Sequence, residues 1–197
     1  NQKGNDLERL DLQLLAMIED AQIRLRAMGY SSRQEFLLTG FSASGTFANR
    51  FSMIHPERVL AVAAGGLNGL LMLPTDSLEG HAMNYPLGTC DFIDRFGKAF
   101  QREAFQQMPQ LWFMGELDNN DAIPYADGYD EDERNLIYQK LGEPMQPDRW
   151  TNCALQYQKN HIGAEIKTYP DIGHEHPETV KLDVLEFFKS AIGQANH

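Results

Sequence analysis

Cysteine is scarce in this chain. Only Cys90 and Cys153 occur among 197 residues. Neither belongs to a Cys-x-x-Cys pair, which excludes a thiolate metal site of the usual spacing. One long-range disulfide and two free thiols both stay open. Long apolar runs are also missing. Stretches such as "VLAVAAGG" fall well short of the roughly 20 residues a membrane-crossing helix needs, so no membrane partner is expected. Basic residues are few: 17 Lys and Arg stand against 28 Asp and Glu, a net charge of −11. They form no cluster, which argues against a nucleic-acid partner, because phosphate binding needs grouped cations. The acid excess is read as a solvated surface. No internal repeat and no low-complexity linker interrupts the chain. It opens on Asn1 with no visible signal peptide, and its compartment is not legible.

What is present alternates between helical and extended patterns. Leu7, Leu10, Leu14, Ile18, Ala21, Leu25 and Met28 recur at steps of three and four. That spacing predicts a helix with one buried apolar face, capped by Asn5 with Glu8 and ended at Gly29. "EFLLTG", "RVLAVAAGG" and "QLWFMG" read as buried strands, and "AEIKTYP" as a fourth strand. "TFANRFSMI", "DEDERNLIYQKLG", "PDRWTNCALQYQKNHIG" and "PETVKLDVLEFFKSAI" read as the helices between and after them. The last presents Val180, Val184, Phe187, Phe188 and Ala191 on its inner side. Strands separated by helices predict an α/β fold, a mostly parallel sheet with helices on both faces. Ligands bind such sheets at the carboxyl ends of the strands. One domain spanning 1–197 is expected, with a lid-like insertion at about 67–109 that holds Gly, Pro and aromatic residues between core elements.

The candidate chemistry sits just after predicted strands. "LLTGFSASGTFANRF" places Ser42 between small residues, at a strand-to-helix turn. A serine hydroxyl needs a base, an acid to orient that base, and donors for an oxyanion. A sharp turn lifts the hydroxyl clear of the sheet, and the crowding there demands small neighbours. Gly40, Ala43, Ser44 and Gly45 supply them. Ser44 is the competing nucleophile, but its frame would put Ser42 and Thr46 where glycine is needed. "QLWFMGELDNND" follows a strand with Asp118 and Asp121 on one loop. "EIKTYPDIGHEHPETV" follows another with His174 and His176. The pair His174-x-His176 lacks a third ligand at metal spacing and is not read as a metal site. Glu175 and His176 are read as the start of the last helix. His55 looks structural, and no spacing argument assigns His81 or Tyr85.

On these residues the chain resembles the α/β-hydrolase family. The family pattern G-x-S-x-G runs here Gly40-Phe41-Ser42-Ala43-Ser44, with Ser44 in place of the final glycine and Gly45 next. The family places its acid after a later strand and its histidine near the end. The resemblance implies Ser42 as nucleophile, His174 as base and Asp118 as the orienting acid, with Asp121 the alternative. The Ala43 amide would serve the oxyanion hole, with no metal or organic cofactor. "HPERVLAVAAGG" and "GELDNND" are similar to esterase-like members, among them relatives of polyester depolymerases and feruloyl-type esterases.

A small-molecule or polymeric carboxylic ester, cleaved through an acyl-enzyme, is the substrate so implied. Cleavage of amides or peptides on the same residues is the first rival. A catalytically silent binding protein of the same fold is the second. Activity is expected to fall in acid as His174 protonates. In the family several strands precede the nucleophile strand, and one loop there supplies a second oxyanion donor. The resemblance therefore implies that the chain is the carboxyl-terminal part of a hydrolase. Its sheet would be completed by an upstream segment or a separate chain. Without that piece an apolar strand edge would lie open, and a missing oxyanion donor costs on the order of 10²–10³ in turnover.

Overall fold

The computed structural model describes residues 8–125 and 128–195. These residues fall into two units, spanning 1–36 and 37–197.

The first unit is built on helix α1, Leu10–Ala27. Asn5 and Leu7, expected in its cap and apolar face, lie outside the described residues. The helix begins after Arg9, whose guanidinium pairs with Asp11 at 2.7 Å. Its end matches the expectation. Gly29, at φ 88°, donates to Arg26 O, and the Tyr30 N–H returns to Leu25 O at 3.0 Å. A left-handed glycine with that pair of bonds satisfies the last carbonyls of a helix. The inward face differs from the one predicted. Leu14 and Ile18 of the predicted face are half-buried, but Leu10, Ala21, Leu25 and Met28 are exposed, while Asp11 and Gln22 are buried. The reason is local: the Gln22 amide donates to Arg33 O at 2.7 Å and to Gln34 O. The returning chain segment thus bonds to the Gln22 end of a face that also holds Leu14 and Ile18.

The second unit is a four-stranded sheet with its helices. Strands β1 (Phe36–Phe41), β2 (Val59–Gly65), β5 (Gln110–Gly115) and β6 (Glu165–Tyr169) lie in the order β1-β2-β5-β6. β2 pairs with β5 in parallel, Val62 opposite Gln110, and β5 pairs with β6 in parallel, Leu111 opposite Glu165. The α/β class and mostly parallel sheet expected from the sequence are observed. β2 and β5 are central, and all but one of their residues are buried, as continuous apolar runs in doubly covered strands should be. β1 differs from its predicted burial. It has one strand neighbour among the described residues, and Leu38 is buried while Leu37 is exposed. A marginal strand alternates in this way.

Helix α2 (Ala43–Ile54) follows β1 directly, and α7 (Glu178–Ala195) closes the fold. Val180 and Val184 of α7 form one cluster with Ala63, Leu111 and Phe113, alternate positions of β2 and β5 and hence one sheet face. Phe187 and Phe188 pack against that cluster, and Ala191 is buried. The opposite-facing Val62, Ala64, Trp112 and Met114 are buried too.

Between β2 and β5 the chain forms a ribbon, β3 (Ser77–Leu78) with β4 (His81–Ala82), and two short helices, α3 (Phe92–Phe96) and α4 (Arg102–Gln107). This 67–109 stretch buries Leu67, Leu71, Met72, Met83, Phe92 and Phe105. It is tied to the rest by Asn49 on α2. The Asn49 Oδ1 accepts from the Met72 N–H at 3.0 Å, and its amide donates to Tyr157 Oη at 3.3 Å. Tyr157 in turn donates to Met72 O at 3.1 Å. Helix α5 (Glu131–Leu141) starts on Asp130, whose side chain and Glu133 satisfy each other's backbone N–H groups. Helix α6 (Trp150–Lys159) carries Tyr157 and follows a widened turn at Met145–Arg149. Cys90 is exposed, Cys153 is buried, and both are free thiols. Burial pushes the Cys153 thiol up to about 12. No described helix is long and apolar enough to cross a membrane.

Candidate active site

Three loops at the carboxyl ends of β1, β5 and β6 bring the candidate residues together. The first is the turn between β1 and α2. Ser42 sits there at φ 62° and ψ −129°, a conformation that costs a non-glycine residue about 1–3 kcal/mol. Its N–H donates to Gly65 O at 3.0 Å, and its carbonyl accepts from Thr46 at the first turn of α2. Small neighbours are required for a visible reason. A Cβ on Gly45 would stand 2.5 Å from Gly65 O, and one on Gly40 would strike the Ser44 carbonyl.

Ser44, the rival nucleophile, has another task. Its hydroxyl donates to Phe41 O at 2.7 Å and accepts from the Phe41 N–H at 3.0 Å. It therefore latches both backbone groups of Phe41, the residue before Ser42. A glycine at position 44 could not do this. The Ala43 amide lies at the start of α2, where helix N–H groups have no partner within the helix.

The second loop follows β5. Asp118 is buried, its side chain 1 % exposed, and it faces His174. His174 Nδ1 is 2.9 Å from Asp118 Oδ2 and 3.1 Å from Oδ1. Asp118 Oδ1 also accepts the Asn120 N–H at 3.0 Å. Asp121, the alternative acid, turns away. Its Oδ1 lies 2.8 Å from Arg149 Nη1 and accepts from the Ile123 N–H at 3.0 Å. Arg149 is fully buried. It also donates through Nη1 to Gly69 O at 3.0 Å, through Nε to Gly142 O at 3.0 Å, and through Nη2 to Glu143 O. One guanidinium thus anchors the Asp121 end of this loop to two other segments. No sequence pattern marked it, because three of its four acceptors are main-chain carbonyls.

The third loop follows β6 and carries His174. Its Nε2 lies 2.9 Å from Ser42 Oγ. Ser42, His174 and Asp118 therefore form one hydrogen-bonded line. Phe41 supports the ring from below, with centroids 4.9 Å apart. His176 is not part of that line, nor does it begin the last helix, which starts at Glu178. It packs against Phe41, at 5.3 Å, and Phe113, at 5.5 Å, two rings that also stack on each other at 6.4 Å. Its Nε2 is buried without a hydrogen bond, and burial, reinforced by Lys181, lowers its pKa. Phe41 therefore contacts both histidines of this loop.

His55 is buried and lies 3.2 Å from Lys98 Nζ, in the connection between α2 and β2. His81 is exposed on β4, and the Tyr85 ring lies beneath Arg50 and Arg95. Among the described residues no three His, Cys, Asp or Glu side chains gather as a metal site. Asn120 was not singled out from the sequence, yet its amide nitrogen lies 3.2 Å from His174 Nε2.

No family model matches the chain, and no curated protein matches it. Several solved structures are similar to it at low identity. SOBER1 from Arabidopsis thaliana is 15 % identical, with a TM-score of 0.48 over 92 % of this chain and 64 % of its own. Est1E from Butyrivibrio proteoclasticus is 13 % identical, with a TM-score of 0.45 over 93 % of this chain and 71 % of its own. An S-formylglutathione hydrolase from Agrobacterium tumefaciens is 12 % identical, with a TM-score of 0.45 over 87 % of this chain and 54 % of its own. The chain spans less than two thirds of the length of SOBER1.

Proposed function

We propose that the chain carries the catalytic residues of a serine hydrolase of the α/β-hydrolase type, acting on carboxylic esters through an acyl-enzyme. One observation carries the reading: Ser42 Oγ at 2.9 Å from His174 Nε2, whose Nδ1 lies 2.9 Å from the buried Asp118 carboxylate. A serine whose hydroxyl meets a histidine, itself oriented by a buried acid, is the arrangement that activates an oxygen nucleophile.

Asp118 accepts the Nδ1–H of neutral His174, which leaves the Nε2 lone pair facing Ser42. Ser42 Oγ attacks the ester carbonyl carbon while its proton passes to Nε2. The carbonyl π electrons move onto oxygen, and the Ala43 N–H at the helix start donates to that oxyanion. The tetrahedral adduct collapses, the C–O bond to the alcohol breaks, and Nε2–H gives its proton to the departing oxygen. Water then repeats the sequence against the acyl-Ser42 ester and regenerates the hydroxyl. Asp118 stays ionised throughout and balances the imidazolium.

Labelling with a fluorophosphonate tests this. The expected result is a single adduct that maps to Ser42 and is lost in His174→Ala. Absence of an adduct in folded protein overturns the reading and favours a silent binding protein. Matched ester and amide substrates separate esterase from amidase: faster amide cleavage would transfer the assignment to the amidase rival.

A further inference from the structure

Asn120 stands at both ends of the Asp118–His174 pair. Its N–H donates to Asp118 Oδ1 at 3.0 Å, and its side-chain nitrogen lies 3.2 Å from His174 Nε2. Nε2 is also the atom that meets Ser42 Oγ. Asn120 is exposed, so an arriving substrate has access to its amide.

Neutral imidazole offers one lone pair at Nε2, and two donors converge on it, the Ser42 O–H and the Asn120 Nδ2–H. That sharing ends at the first chemical step. Once Ser42 has surrendered its proton, Nε2–H is itself a donor and Asn120 loses its acceptor. At the same moment the alcohol oxygen of the tetrahedral adduct must come within hydrogen-bond reach of Nε2–H to collect the proton. An amide nitrogen 3.2 Å from Nε2 borders the space that oxygen enters. As the C–O bond breaks, its electron pair gathers on this oxygen, which becomes the acceptor that the amide has just lost.

We propose that Asn120 is a leaving-group residue: its Nδ2–H donates to the departing alcohol oxygen beside His174 Nε2, favouring esters of unactivated alcohols. The proposal rests on the serine-hydrolase reading above. Asn120 transfers no proton. It shares the charge on the oxygen while the proton crosses from Nε2. A nitrophenolate already spreads that charge over its ring and gains little from the donor. An alkoxide cannot spread it and gains more, so the class of substrate served is the ester of an aliphatic alcohol.

The test compares wild type, Asn120→Ala and Asn120→Asp on esters of one acid with ethanol, trifluoroethanol and nitrophenol. kcat/KM reports acylation, the step in which the alcohol leaves. Removal of a donor to a charge-bearing oxygen is expected to cost about 10- to 100-fold on the ethyl ester. The nitrophenyl ester is expected to lose less than about threefold on the same argument. Fluorophosphonate labelling of Ser42, which expels fluoride, should change as little as the nitrophenyl ester. Both variants keep the backbone N–H to Asp118, so a merely structural role predicts equal losses on all three esters and on labelling. Equal losses, or no loss on the ethyl ester, overturn the proposal. Failure of wild type to label at Ser42 overturns the parent reading instead, and this proposal with it.

Discussion

Ser42 pays for its position in backbone conformation. At φ 62° and ψ −129° it occupies a region that suits glycine, and four hydrogen bonds hold it there: its own N–H to Gly65, Thr46 to its carbonyl, and the two from the Ser44 latch. Ser42→Gly is therefore expected to abolish labelling and yet raise stability by about 1 kcal/mol, because the strain disappears while the four bonds remain. Urea titration of the variant checks this, with Ser42→Ala as the strained control. A Ser42→Gly midpoint below that of Ser42→Ala would show that the turn is unstrained. At this scale the sequence was informative where chemistry and order coincide. Ser42, Asp118 and His174 each follow a strand, in the expected order, and their side chains are adjacent in space. Asn120 was hidden because "DNND" offers four similar polar residues. Only the turn geometry shows which one reaches Nε2. Asp118 and Asp121 were indistinguishable for the same reason; in the structure Asp118 meets His174 and Asp121 meets Arg149.

At the scale of elements, apolar periodicity revealed β2, β5, α2, α5, α6 and α7, because each is long enough, or buried enough, for burial to dictate its pattern; β6 was legible as a strand although none of its five residues is buried. It failed for the buried side of α1. Periodicity locates apolar residues but cannot say which chain segment passes beside them, and Gln22 reaches two carbonyls of the segment that does. The widened turn before α6 was hidden too, since the Arg149 side chain within it bonds to main-chain carbonyls, which no residue type marks. That cluster carries its own prediction. Arg149→Met leaves Asp121 without its cation and three carbonyls without a donor. The expected loss is about 3–5 kcal/mol. Arg149→Lys keeps the charge but not the planar fork, and should recover only part of it. Denaturant midpoints of the two variants and of wild type decide: Arg149→Lys equal to wild type would mean that charge alone matters, and Arg149→Met equal to wild type would mean that neither contact does.

For the molecule as a whole, the sheet margin and the charge pull in opposite directions. β1 ends the strand order with β2 as its one strand neighbour among the described residues, and Leu37 is exposed, while the chain carries −11. An open strand edge is a template for another edge. Like charge keeps two such molecules apart, but only over the screening length, about 30 Å at 0.01 M salt and about 8 Å at 0.15 M. Adding salt should therefore promote self-association of this acidic chain, the reverse of what screening does to an attraction between opposite charges. Sedimentation velocity at the two salt concentrations reads the effect, and Leu37→Lys should suppress it by placing a charge on the margin. An unchanged monomer at both would show that the edge is inert. Ionic strength thus belongs among the controlled variables of every assay above, since what salt removes from the active population would otherwise be mistaken for an effect on catalysis.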